Sequence, residues 1–277
     1  MKLTILCDNH TLIDRYYLGE PALSFYIEDG EKRILFDTGY SDVFLRNAEK
    51  MGIDLTGITD IVFSHGHNDH TGGFPALKKA FDLSGVNVHA HPDTFQPKRH
   101  EGLDVGAPWR AEDLLPAVWI PSAVPVQISD HLFFLGEIPR TVPFEKSLTV
   151  GTCLEKGRWR KDPVRDDSAL VYHEGDTLTV ITGCSHSGIC NIITYAEELF
   201  RMDHVTDVIG GFHLMEDEKR IRHTAGFLSS HVKRQLIPCH CVSLYARHVM
   251  MQENEVLEAG AGMRIIWDEN CHCSVEY

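Results

Sequence analysis

No stretch of these 277 residues approaches the roughly 18 consecutive apolar residues that a membrane-spanning helix needs. Basic charge is also scarce. Lys and Arg number 26 against 40 Asp and Glu, a formal net charge of −14. Phosphates would be repelled at long range, which argues against a nucleic acid or an anionic membrane as partner. Two bound cations would add positive charge locally, so an anionic small-molecule substrate stays open. A disulfide framework is missing as well. There are eight cysteines, but Cys239/Cys241 and Cys271/Cys273 sit two apart, a spacing poor for a bridge and unlike the paired C-x₂-C of a structural zinc site. Free thiols in a reducing compartment are the expectation. The first ten residues hold too short an apolar run for a secretory signal and no small-residue cleavage site, so a cytoplasmic protein is expected. No internal repeat or low-complexity tract is present, and nothing in the sequence speaks to oligomeric state.

What is abundant is histidine. There are 17, and many cluster: 65, 67 and 70, then 89 and 91, then 186, 213 and 240. Such clustering is what a metal site produces.

The first third reads as strands at residues 3–6, 22–28, 33–36, 60–63 and 86–90. Helices are expected at 41–51, with Ser41 as cap, and at 75–81. Between 92 and 163 the texture changes. Nine of the twelve prolines lie there, with Trp109, Trp119 and Trp159. This stretch reads as an irregular insertion with short strands at 126–128 and 131–135, serving as a lid or pocket wall or as mere elaboration. The last third alternates. Strands at 168–172 and 178–182 flank a Glu-Gly-Asp hairpin turn. A helix at 189–200, a strand at 205–210, a helix at 221–232, a strand at 235–238, a helix at 245–258 and a closing strand at 263–267 follow. Strands first, then strand–helix repeats, point to an α/β domain with sheets covered by helices. One domain over 1–277 is expected.

In Ser64-His65-Gly66-His67-Asn68-Asp69-His70, three imidazoles and a carboxylate sit within six residues. These donors suit zinc, iron, manganese, nickel or copper. Gly66 permits a tight turn, so His65 and His67 can converge on one ion while Asp69 and His70 hold a second. A buried strand before the turn and a Gly-Gly-Phe-Pro helix start after it argue against a solvated loop. Four groups cannot fill two coordination spheres. The remaining ligands are sought at other strand ends, where His186 and His240 are the first choices. His213 is a ligand, a support for one, or a substrate contact. His89 and His91 read as structural or supporting groups.

HxHxDH after a buried strand, with Phe36-Asp37-Thr38-Gly39 upstream, resembles the metallo-β-lactamase superfamily. That resemblance implies an αββα sandwich, two β-sheets face to face with helices outside. "LFDTG", "SHGHNDHTGG", "HAHPD", "GEIPR", "DDSALV", "VITGCSH", "GGFHL" and "PCHC" are similar, over almost the whole chain, to the subfamily named after the archaeal 7,8-dihydropterin-6-methyl-4-(β-D-ribofuranosyl)aminobenzene 5′-phosphate synthase. Many of its relatives are known only as metal-dependent hydrolases. The superfamily's usual extra His before the hairpin is replaced by Asp166-Asp167-Ser168-Ala169-Leu170, and its Gly-Asp reads Gly183-Cys184. The bridging carboxylate is therefore missing where it is expected. Cys184 thiolate or Asp167 is left to approach the second metal, with a packed thiol and a hairpin carboxylate as their ordinary readings.

The resemblance implies two divalent ions, zinc first, with iron or manganese as alternatives. His65, His67 and His186 would hold metal one; Asp69, His70 and His240 would hold metal two. A shared metal-bound hydroxide would attack an ester- or phosphoester-type small molecule. Asp69 would orient the nucleophile and His213 the substrate, so these two are the catalytic candidates. Arg140 reads as a structural salt bridge, with an anionic substrate group as the alternative partner. A transferase that condenses an activated pterin with ribofuranosylaminobenzene 5′-phosphate is the second reading. A non-catalytic metal- or redox-sensing binding protein is the third.

Overall fold

The computed structural model describes residues 1–268 and 273–277; Cys271, half of one Cys-x-Cys pair, lies outside them. Every described cysteine is free. No helix among the described residues is long and apolar enough to cross a membrane.

Two sheets face one another. The first has eight strands, in spatial order Cys273–Glu276, Arg264–Trp267, Lys2–Cys7, Ser24–Asp29, Lys32–Phe36, Asp60–Val62, Asn87–Ala90 and Val118–Pro121. The second has six: Val232–Pro238, Val205–Gly210, Thr177–Thr182, Ala169–Glu174, Leu132–Phe134 and Val126–Gln127. Side-chain alternation explains why they stack. Leu170, Tyr172, Ile181, Ile209 and Ile237 point inward and meet Leu3, Ile5, Phe25, Phe36 and Trp267 of the first sheet. Their neighbours Val171, Val180, Val208 and Leu236 point outward into a second core. That core is closed by the helices Ile189–Phe200, Glu218–His231 and Leu244–Met250. On the far side, Phe44 and Ala48 of Val43–Met51 and Phe74 and Leu77 of Phe74–Ala80 cover Leu6, Leu35 and Ile61. The result is the αββα sandwich expected from the sequence. Strands buried on both faces also account for the continuous apolar runs of the last third.

Four local expectations need correction. Ser41 lies one position before the cap of its helix, where its hydroxyl accepts from Val43 N–H at 3.4 Å. Asp42 holds the cap position, and the Ser41 hydroxyl donates to Glu20 Oε2 at 2.6 Å. The helix expected over 245–258 ends at Met250. Beyond it the chain runs extended beside Val232–Pro238, where Leu236 N–H donates to the Glu255 carbonyl at 2.8 Å and Leu257 N–H donates back to Leu236 at 2.9 Å. Satisfying that sheet edge outweighs helix propensity. The strand at 263–267 is not the last, because Cys273–Glu276 pairs antiparallel with it.

The stretch 92–163 is also not an irregular insertion lying against a finished domain. Val118–Pro121 is the edge of the first sheet and Val126–Gln127 the edge of the second. The proline in the first of these is tolerated because an edge strand need not donate on its outer side. Lys98–His100, Leu103–Asp104, Thr152–Glu155 and Arg158–Lys161 form a third, four-stranded sheet.

Candidate metal centre

The strand Asp60–Val62 is flanked in parallel by Lys32–Phe36 and Asn87–Ala90. Its exit becomes the histidine turn. Gly66 is required there, since a Cβ would lie 1.8 Å from the Thr94 carbonyl oxygen. In the second sheet, Thr177–Thr182, Val205–Gly210 and Val232–Pro238 run parallel to one another. Parallel strands place their C-terminal ends on one side, where α/β proteins build sites. Their exits carry Cys184 and His186, then His213, then His240 and Cys241.

Two ligand-rich clusters result. In the first, His65 Nε2 lies 2.9 Å from His67 Nδ1, which lies 3.0 Å from His186 Nε2. In the second, the ligand atoms of Asp69, His70, Cys184 and His240 lie within 4.8 Å of one another. There His70 Nε2 is 3.1 Å from Cys184 Sγ, and His240 Nε2 is 3.2 Å from Asp69 Oδ2. The clusters adjoin, with the His65 and His70 ring centroids 4.3 Å apart.

Their orientation is set from behind. Asp37 Oδ2 accepts from His70 Nδ1 at 2.6 Å and from Ser64 Oγ at 2.7 Å, and Asp37 Oδ1 accepts from Ser64 N–H at 2.7 Å. Ser64 Oγ in turn contacts His65 Nδ1 at 2.9 Å. Asn9 Oδ1 takes His240 Nδ1 at 2.8 Å, and Asp8 Oδ2 takes the His240 backbone N–H at 2.9 Å. Each of these three imidazoles, His65, His70 and His240, is left with Nε2 facing its cluster. Asp166 Oδ2 accepts from Gly66 N–H at 2.7 Å, while its Oδ1 accepts from the buried Lys98 ammonium, also at 2.7 Å.

The residues fit cations. His67 Nδ1 has one lone pair and two nitrogen neighbours at about hydrogen-bond distance, and His67 Nε2 and His186 Nδ1 are buried without partners. Nitrogens about 2.0–2.1 Å from a tetrahedral zinc would lie about 3.3 Å apart, close to this spacing. Burial, reinforced by neighbouring charge, drives His65 and His186 well below the usual histidine range and takes His67 down to about 4. All three are therefore neutral donors. In the second cluster, burial opposes ionisation of Asp69, but His70 and His240 outweigh it and keep the carboxylate charged. Burial likewise opposes charge on His240, yet its hydrogen bond to Asp69 lifts it to about 9. Burial pushes the Cys184 thiol well up. Burial would do the same to Cys241, but hydrogen bonds from Cys184 and His213 hold it well below the usual thiol range.

Both clusters open onto a cleft of about 680 Å³, lined among others by Tyr40, His67, Asp69, His213, Met215 and Leu244. His100, Val105 and Val150 also line it, so the stretch 92–163 forms one wall. A larger hollow of about 1110 Å³ near Met1, Asp29, His131 and Trp267 contains none of the clustered ligands, and size there is not chemistry.

His65, His67, Asp69, His70, His186 and His240 thus lie together, each in one of the two clusters. His213 stands just outside them, its ring 4.4 Å from that of His186. Of the two candidates for the missing ligand, Cys184 joins the second cluster. Asp167 is not among those grouped donors; its Oδ2 accepts from Ser187 N–H at 2.8 Å and Ser187 Oγ at 2.5 Å, while its Oδ1 is buried without a hydrogen-bond partner. His89 pairs with Asp60 at 3.0 Å and His91 lies 3.6 Å from Glu137, both away from the clusters. Among the described residues Arg140 makes no ion pair of the kind expected; it donates to the backbone carbonyls of Leu148 and Pro163. Sequence reasoning assigned no role to Asp8, Asn9, Asp37, Lys98 or Asp166. Asp37 and Asp166 carried a signal, through their places in LFDTG and DDSALV.

A family model described as the metallo-beta-lactamase superfamily matches residues 18–200. The chain is 32% identical over 269 residues to the 7,8-dihydropterin-6-methyl-4-(beta-D-ribofuranosyl)-aminobenzene-5′-phosphate synthase of Methanocaldococcus jannaschii, covering 91% of each chain. Among solved structures it resembles a metal-dependent hydrolase of the beta-lactamase superfamily, with a TM-score of 0.83 and 30% identity over 96% of this chain and 98% of that one. Zn(2+)-bound PqqB from Methylobacterium extorquens shares the fold, with a TM-score of 0.55 and 12% identity over 96% of this chain and all (100%) of that one.

Proposed function

This chain belongs to the metallo-beta-lactamase superfamily, and we propose that it is an enzyme acting through two adjacent divalent cations on an ester- or phosphoester-type small molecule. The reading is carried by the adjacency of a three-imidazole cluster and an Asp-His-Cys-His cluster at the floor of one cleft. Cations there would supply Lewis acidity and a water-derived nucleophile at neutral pH. His65, His67 and His186 would hold the first, zinc being the best match to three neutral imidazoles. Asp69, His70, His240 and Cys184 would hold the second. Cys184 takes the place of a bridging carboxylate, so the thiolate tilts this site toward borderline or soft ions.

Asp69 supplies an ionised oxygen on the cleft side, able to orient a nucleophile. His213, beside His186 and on the cleft wall, is placed to contact substrate. Tyr40, Met215 and Leu244 offer apolar surface for the substrate body. Among the described residues Asp69 is the one acid lining this cleft, and an adjoining hollow that shares His186 and His213 adds Glu216, Asp217 and Arg220.

A second reading, group transfer, is favoured by the name of the 32%-identical relative, a synthase. In it a diphosphate would leave and an aromatic substrate would take the place of water. The deciding experiment is metal analysis with a turnover screen over bis-p-nitrophenyl phosphate, a lactone and a thioester. Chelator-sensitive hydrolysis supports the first reading. Absence of hydrolysis together with a diphosphate-releasing condensation supports the second. Less than one cation per chain and no turnover would sink both.

A further inference from the structure

Beside the second cluster stands another group of donors. Cys184 Sγ, Cys241 Sγ and a ring nitrogen of His213 lie within 4.8 Å of one another. They come from three different strand exits. A tetrahedral zinc with Zn–S near 2.3 Å sets two sulfurs about 3.8 Å apart, so the observed span suits one cation. The surroundings are built to hold these donors. Gly211 makes room for the sulfur, because a Cβ there would lie 2.6 Å from Cys241 Sγ. The His213 backbone N–H donates to Cys241 Sγ at 3.3 Å. His213 Nδ1 is buried and has no hydrogen-bond partner.

We infer that Cys184, His213 and Cys241 form a third cation site, selective for a soft or borderline ion such as zinc, cadmium or copper(I). Two sulfurs and an imidazole disfavour magnesium, calcium and manganese. Cys184 Sγ also lies 3.1 Å from His70 Nε2, so its sulfur bridges this site and the proposed second one. Both sulfurs would bind as thiolates, and a thiol proton displaced on binding passes to solvent. All three donors line the cleft, which leaves the fourth position facing it. A sulfur- or nitrogen-bearing substrate group can complete that position. The inference rests on the two-cation reading only through the shared Cys184.

The test is a cadmium titration of the metal-stripped full chain. Bound metal is counted by mass spectrometry after gel filtration, and sulfur-to-cadmium absorption is followed in the near ultraviolet. The wild type is expected to take three equivalents, the third weakest and accompanied by added charge-transfer intensity. Cys241→Ser is expected to stop at two. His213→Gln is expected to weaken the third by about tenfold or more while keeping the first two, which also shows that it is folded. Saturation of the wild type at two equivalents, or retention of the third by both variants, overturns this inference alone. Uptake of fewer than two by the wild type overturns the proposed function as well.

Discussion

The carboxylate of Asp37 accepts the Nδ1 proton of His70 at 2.6 Å, with both side chains fully buried. The same carboxylate takes both hydrogen-bonding groups of Ser64, whose hydroxyl meets His65. One acid therefore orients a donor in each cluster.

Asp37→Asn is expected to weaken both cations together, by about 10–100-fold. Competition with a chromophoric chelator measures this. Loss confined to one cation, or unchanged affinity, would contradict the shared support.

Cys184 is the sulfur of the second cluster. Cys184→Ala is expected to leave one tightly held cation per chain after dialysis. Cys184→Asp should restore the second and shift its preference toward manganese, since a carboxylate oxygen is a harder donor. Elemental analysis reads both. Two full zinc equivalents in Cys184→Ala would show that the thiol is only packing.

Lys98 is buried between Asp162, at 3.1 Å, and Asp166, at 2.7 Å. Lys98→Met strands two buried carboxylates and is expected to cost about 3–5 kcal/mol in a denaturant melt. Since Asp166 also holds Gly66 N–H, the variant should loosen the first cation as well. Adding Asp162→Asn should recover part of the stability. A loss below about 1 kcal/mol would mean that water reaches the triad.

Burial pushes the Asp167 carboxyl up to about 6, against the hydrogen bonds from Ser187. The folded chain therefore holds this proton at pH values where the unfolded chain has released it. Its contribution to stability is greatest below about pH 4 and is lost as pH rises through 6. In chelator-treated protein that loss is on the order of 3 kcal/mol. Asp167→Asn should flatten the stability profile across this window. An unchanged slope would assign it to other buried acids.

Much of the fold is legible in the order of the residues. The helix Ile189–Phe200 and the strand Val205–Gly210 coincide with the stretches read from apolar patterning, because each buries a continuous face. The third sheet is not legible. Arg158–Lys161 is exposed along its whole length, so no hydrophobic period marks it. The histidine turn announces itself because its donors lie within six residues. The supporting Lys98, 68 residues from its partner Asp166 in the chain, carries no local signature.

Neighbouring residues alone set the donor types, the turn that gathers four of them, and the periodicities that make sheets and helices. These are short-range properties of the chain. Which distant residues complete each cluster is a matter of tertiary packing. His67 meets His186 across 119 positions, and Cys184 rather than Asp167 reaches the second cluster, because parallel strands of one sheet deliver their C-terminal ends opposite the histidine turn of the other. Two stacked sheets fix that meeting, and nothing within a few residues of either partner encodes it.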